Sequence, residues 1–255
     1  MYPSDLTDKE WALIEPFFRR PDPRGNRGKY AKRDIVNAIL YVVQGGIQWR
    51  MLPKDLPPWD TVYNHFRRLN QRGVWQQALD ALTQESRRRQ GKVLHPSYAI
   101  IDSQSVKTQY AVDARGIDGG KKIKGRKRHI ITDTLGHLLG VIVHAANLHD
   151  TVEGQRICLQ VADRYPSIQA FLADQGYRGT TVDFVQEWLN RRVDIVEKAT
   201  KGFQIQPKRW IVERTLAWLG NWRRLAKDFE IRTETAENMI RIAMLKITVA
   251  KCAKL

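Results

Sequence analysis

Two short apolar runs each end on an aspartate, Tyr98-Ala-Ile-Ile-Asp102 and Gln169-Ala-Phe-Leu-Ala-Asp174. Runs of this kind read as buried strands, and in open α/β sheets ligand chemistry gathers where strands end. Two carboxylates carried there could meet. A third, Glu213, sits inside Arg209-Trp-Ile-Val-Glu-Arg-Thr-Leu-Ala-Trp-Leu219, an amphipathic run that reads as a helix and would have to pack on the sheet. Three such carboxylates offer hard oxygen ligands to Mg²⁺ or Mn²⁺ and leave positions open for phosphate and water, as two-metal phosphoryl transfer requires. Spacing alone is a weak signal, because three acids are easily picked out of 27 and each has a plainer use as a helix cap or surface charge. For Glu213 that use is an i,i+4 pair with Arg209, worth ~0.2–0.5 kcal/mol on an exposed face. Asp133 and Asp150 also lie near strand ends, Asp150 more simply as the cap of a helix starting at Thr151. The two cysteines, Cys158 and Cys252, and the six histidines form no zinc-ligand pattern.

The elements around these acids change character once. Up to about residue 92 the chain reads as helices. Thr7 or Asp5 can cap a run carrying Trp11, Leu13, Ile14, Phe17 and Phe18, stopped by Pro21 and Pro23. A second helix over 34–43 places Ile35, Ala38, Ile39 and Val42 on one stripe and ends at Gly45-Gly46. After Pro57-Pro58, Thr61 can cap a third, with Val62, Phe66 and Leu69 on one side and Tyr63, Asn64, Arg67 and Arg68 on the other. A fourth, over 74–89, ends in Arg87-Arg88-Arg89, and Gly91 and Pro96 mark a boundary. This pattern is helix-turn-helix-like, with Tyr63, Asn64, Arg67 and Arg68 as the DNA-reading face; a helical protein-interaction domain is the alternative.

Beyond residue 93, strands are expected over 98–102, 129–133, 139–144, 169–174 and 193–197, and helices over 151–165, 180–191, 208–227 and 233–250. Thr134-Leu-Gly-His137 joins the second and third strands as an antiparallel hairpin. The order β-β-β-α-β-α-β-α-α predicts an α/β domain, a mixed sheet with helices on both faces. Lys121, Lys122, Lys124, Arg126, Lys127 and Arg128, set among glycines, read as a loop suited to backbone phosphates. Arg223, Arg224 and Lys227, farther along the Glu213 helix, can add positive charge there, while Trp210, Trp218 and Trp222 share a face that reads as core. With 43 Lys plus Arg against 27 Asp plus Glu, the net charge of +16 asks for a polyanionic partner. A hydrophobic content of 42% excludes a wholly disordered basic tail. Neither a signal peptide nor a membrane span is expected, since the most apolar stretch, 138–148, is short and interrupted by Gly140, His144 and Asn147.

Ile-Asp-Ser-Gln-Ser-Val-Lys-Thr at 101–108, Gly-Lys-Lys-Ile-Lys-Gly-Arg-Lys-Arg-His at 120–129, Asp-Thr-Leu-Gly at 133–136, Ala-Asp-Gln-Gly-Tyr-Arg-Gly at 173–179 and Arg-Trp-Ile-Val-Glu-Arg-Thr at 209–215 closely resemble insertion-sequence transposases of the DDE class. The branch most resembled is the insertion sequence five family. The resemblance runs through nearly the whole chain, taking in Leu-Thr-Asp-Lys-Glu-Trp at 6–11 and Gly-Gly-Ile-Gln-Trp-Arg-Met-Leu-Pro at 45–53. It implies an RNase H-like catalytic domain over 93–255 behind a helical DNA-binding domain over 1–92. The catalytic and metal-holding acids then fall on Asp102, Asp174 and Glu213, with Mg²⁺ or Mn²⁺ as cofactor. Asp174 and Glu213 are 39 residues apart, too close for the inserted domain that related transposases can carry. In a neighbouring branch the third acid sits in a Tyr-x2-Arg-x3-Glu-x6-Lys signature. Arg209, a DNA contact by this reading, and Glu213 match it, whereas Gln206 and Gly220 replace the Tyr and Lys.

The activity implied is binding of double-stranded DNA at an element's terminal inverted repeats, cleavage there, and joining of the freed 3′-hydroxyls to target DNA. Bringing two ends together implies a homodimer or larger synaptic complex, working on the nucleoid in a bacterial cytoplasm. The rival readings are an RNase H-like nuclease or resolvase that cuts without joining, and a non-catalytic DNA-binding repressor derived from a transposase.

Overall fold

The computed structural model describes residues 1–19, 28–112, 114–197 and 207–255; Pro21, Pro23 and Gln206 lie outside them. The chain divides into two compact units, one of Met1–Lys92, Asn221–Ala226 and Asn238–Leu255, the other of Val93–Gly220 and Lys227–Glu237. The division after Lys92 falls beside Gly91, where turn residues concentrate. The C-terminal stretch, expected to stay with the second unit, packs with the first.

In the first unit, helices α1 (Asp8–Phe18), α2 (Lys32–Gly45), α3 (Trp59–Gln71) and α4 (Val74–Arg89) surround a core that includes Ile14, Phe18, Ile39, Phe66, Trp75 and Leu79. Thr7 and Glu10 cap α1 reciprocally: the Glu10 N–H donates to Thr7 Oγ1 at 3.2 Å and the Thr7 N–H to Glu10 Oε2 at 2.8 Å. Gly46 ends α2 at φ +71°, where a Cβ would strike Arg223 at 2.8 Å. Helix α3 begins two residues before the expected cap, with Pro58 at the N-cap position and Thr61 already inside the helix. Proline suits that end because the first N–H groups of a helix have no partner to lose. The C-terminal helix α8 (Thr233–Lys254) adds Met239, Ile242, Met244 and Val249 to the same core, and Lys246 pairs with Glu10 at 2.7 Å.

The second unit is a six-stranded mixed sheet of β1 (Tyr98–Lys107), β2 (Gly116–Asp118), β3 (Ile123–Asp133), β4 (Leu138–Ala145), β5 (Ala170–Asp174) and β6 (Arg192–Val196). Its principal strands lie in the order β4-β3-β1-β5-β6, with β3 antiparallel to β1 and β4, and β5 parallel to β1 and β6. This is the RNase H-like arrangement. Helices α5 (Asp150–Arg164) and α6 (Thr180–Glu187) cover one face through Ile157, Cys158, Val161 and Val185, packed on Ile101, Ile131, Leu139 and Phe171. Helix α7 (Trp210–Gly220) packs against β1 and β3.

Three local expectations are corrected. Of the basic stretch only Lys121 and Lys122 lie in a turn: β3 begins at Ile123 and pairs with β1 as far as Lys107↔Gly125, and with β4 from Arg126↔Ala145. Arg126, Lys127 and Arg128 are buried in it. The Glu213 helix stops at Gly220 instead of running to 227, so Arg223, Arg224 and Lys227 lie beyond its end, the first two in a separate 3₁₀ turn. Helix α5 is capped by His149, which accepts from the Thr151 N–H, and Asp150 is its first helical residue.

Candidate active site

Register and alternation bring the two aspartates together. The parallel pairing of β1 with β5 reaches Ile100↔Leu172, and two residues farther along each strand stand Asp102 and Asp174. Adjacent strands lie ~4.8 Å apart, and side chains two apart share a face. Ala99 and Ile101 of β1 and Phe171 and Ala173 of β5 point into the core beneath α5 and α6. Asp102 and Asp174 therefore point to the opposite face. Asp102 does not end its strand as expected: β1 outlasts β5 by continuing to pair with β3, which sets Asp102 opposite Ile130 in the middle of a ladder. Asp174 does end β5, and its Oδ1 accepts the Gly176 N–H at 2.8 Å, capping a 3₁₀ turn.

Glu213 reaches the same place from the first turn of α7. Arg209 links it to the strand acid: Nη2 donates to Asp174 Oδ2 at 3.0 Å, and Nε makes an ion contact of 3.4 Å with Glu213 Oε1. The i,i+4 pair read from sequence is present, but it is one half of a bridge. Asp102 is held up to about 6 by loss of solvent, with Asp174 and Glu213 raising it further, while the Ser103 N–H and Arg209 pull it down. Three carboxylates thus feel one another around a single guanidinium. Among the described residues, no three His, Cys, Asp or Glu side chains are gathered closely enough to hold a metal ion. The donor set nevertheless suits a hard divalent cation, since every donor is a carboxylate oxygen.

The remaining candidates separate by exposure. Tyr63, Asn64, Arg67 and Arg68 all lie exposed on α3, as do Lys121 and Lys122 in the turn before β3 and Lys124 in its second position. Arg126 pairs with Asp228 at 3.2 Å and donates to the carbonyls of Glu230 and Ile231. Lys127 donates to Asp150 at 2.7 Å and to the Leu148 carbonyl. Arg128, 3% exposed, is lowered to about 10 by desolvation against the field of Asp228. These three are committed inside the fold, as is Arg224, which donates to the Ile47 carbonyl at 3.0 Å; Arg223 and Lys227 are exposed.

Trp210 and Trp218 are not a core pair with Trp222. Trp210 is 42% exposed, and the Arg214 guanidinium stands 4.5 Å from the ring of each. That sandwich was missed although the i,i+4 spacing on either side of Arg214 was visible. Among the described residues, no helix is long and apolar enough to cross a membrane.

Residues 95–245 match the family described as "Transposase DDE domain", and residues 6–79 the family described as "Putative transposase of IS4/5 family". The "Putative transposase for insertion sequence element IS402" of Burkholderia cepacia is 31% identical over 122 residues, 43% of this chain and 56% of that protein. The chain thus spans little more than half of that relative. The "Insertion element IS402 uncharacterized 16.2 kDa protein" of the same organism is 30% identical over 124 residues, 46% of this chain and 78% of that protein. The chain is similar to the solved "Cryo-EM structure of piggyBac transposase synaptic complex with hairpin DNA (SNHP)" at 10% identity and a TM-score of 0.44, over 95% of this chain and 72% of that one.

Proposed function

Because the chain belongs to the transposase DDE domain family, we propose that it binds the terminal inverted repeats of its own element, hydrolyses the phosphodiester bond at each end and joins the freed 3′-hydroxyls to target DNA. The observation that carries this reading is the convergence of Asp102, Asp174 and Glu213, from two neighbouring strands and a helix, around Arg209. These three carboxylates would hold Mg²⁺ or Mn²⁺. Bound there, the cation supplies Lewis acidity to the attacking oxygen and charge compensation to the leaving one. The chain's own part is to fix the carboxylates. Asp102 is held within a paired strand, Asp174 by the Gly176 N–H and Arg209, and Glu213 by the first turn of α7.

DNA is held elsewhere on the chain. The exposed face of α3 reads the repeats through Tyr63, Asn64, Arg67 and Arg68, and Lys121, Lys122, Lys124, Arg223 and Lys227 contact phosphates. Two ends are joined in one reaction, so a homodimer or larger synaptic complex is the working form, on nucleoid DNA in the cytoplasm. The test is a strand-transfer assay on duplexes carrying the inverted repeats that flank the gene, with Mg²⁺ or Mn²⁺. Joined product supports the reading. Cleavage without joining indicates a nuclease, and binding without cleavage a repressor.

A further inference from the structure

Arg209 occupies the position between two acids where a cation would be drawn. Its side chain is 18% exposed and Asp174's 28%, so their contact at 3.0 Å is partly sheltered from water. Glu213, 54% exposed, is held more loosely, at 3.4 Å. The Arg209 backbone is anchored at the entry to α7, its carbonyl accepting the N–H groups of Val212 and Glu213, so a change of partner falls to its side chain. Using Nη2 for one acid and Nε for the other, the planar fork spans both at once, which a lysine ammonium cannot do. Arg209 touches Asp174 and Glu213, and among the described residues no three acids stand close enough together for a metal ion.

We propose that Arg209 stands in for the divalent cation in the metal-free protein, keeping Asp174 and Glu213 near Asp102 and yielding them when metal binds. The inference rests on the reading of these acids as metal ligands. It makes Arg209 a positioning residue that competes with the metal, so its removal should loosen the empty site and tighten the loaded one.

The experiment titrates Mn²⁺ calorimetrically into the full-length protein and its Arg209→Met and Arg209→Lys variants, and measures Tm without metal and at saturating Mn²⁺. Arg209→Met is expected to bind Mn²⁺ roughly tenfold more tightly, the worth of one displaced charge-assisted hydrogen bond. Its metal-free Tm should fall by a few degrees, and the gap from wild type should close at saturating Mn²⁺. Arg209→Lys, which keeps the charge but loses the fork, should fall between the two and carries the test if the Met variant does not fold. Unchanged or weaker Mn²⁺ binding in the variants, with a Tm deficit that persists in Mn²⁺, overturns this inference alone. Absence of Mn²⁺ binding by all three proteins overturns the metal reading of the acids together with it.

Discussion

Arg126 and Asp228 are both almost fully buried, at 1% and 2% side-chain exposure, and removing one of them strands the other's charge in the interior. Arg126→Ala should therefore cost about 3–5 kcal/mol in denaturant unfolding, whereas Lys122→Ala, four residues away and exposed, should stay within about 0.5 kcal/mol. Equal costs at the two positions would contradict this division of the basic stretch. A second residue-scale consequence concerns His129. His144 Nδ1 lies against the Ala145 carbonyl, which can only accept, so in a neutral pair of rings, which burial favours, His144 Nε2 accepts the His129 Nδ1–H at 2.7 Å. Burial, with His144 and Lys127 nearby, lowers His129 to about 3, against about 6.5 when unfolded. The unfolded chain then binds the extra proton first, so stability is full above pH 6.5 and falls as pH drops towards 3, at about 1.4 kcal/mol per unit. Denaturant unfolding at pH 7, 6 and 5 should show a shallower loss in His129→Gln than in wild type. At this scale the acids were legible because a carboxylate closing an apolar run is conspicuous. Arg126, Lys127 and Arg128 were not, because a basic side chain looks the same in sequence whether solvated or buried, and the Asp228 that buries Arg126 is 102 residues away.

Among the elements, α3 presents its apolar stripe of Val62, Phe66 and Leu69 to the core and leaves Tyr63, Asn64, Arg67 and Arg68 outside. Alanine at Asn64 and Arg67 should reduce the preference for repeat over scrambled DNA, by about 1–3 kcal/mol for a lost bidentate base contact, with little change in Tm. Competition binding checks this, and a uniform loss on both DNAs would assign the helix to phosphates. Neutralising Lys121, Lys122 and Lys124 should act in the opposite sense, weakening both DNAs alike and flattening the slope of log affinity against log salt by about 1 per charge. The helices of the first unit were legible to within about two residues at their ends, since apolar spacing, the Thr7–Glu10 cap and Gly46 are local signals. Strand ends were less so. The extent of β1 and β3 depends on pairing with each other, and a Ser-Gln-Ser or Lys-Arg run shows no apolar alternation to announce it. The end of α7 at Gly220 was missed because the apolar pattern resumes at Trp222 and Leu225, which are buried in the other unit.

For the whole molecule, the chain passes between its two units after Lys92, Gly220, Ala226 and Glu237. A fragment ending at Lys92 would lose Met239, Ile242, Met244 and Val249 from the first unit's core. Truncation there should give a protein without a cooperative thermal transition, whereas the full chain should show one; a cooperative transition in the fragment would show that the C-terminal segments are dispensable. The division into a DNA-reading and a catalytic part therefore has to be tested in the intact chain. The central claim is that Asp102, Asp174 and Glu213 form one catalytic site, and the most direct measurement assays cleavage and 3′-end joining of repeat-bearing duplex by Asp102→Asn, Asp174→Asn and Glu213→Gln, with binding of the same DNA measured in parallel. The carboxamides keep the shape and lose the charge, so each should lower both reactions by roughly a thousandfold while binding stays largely intact. Metal-dependent cleavage at the wild-type rate by any one of the three would contradict the account.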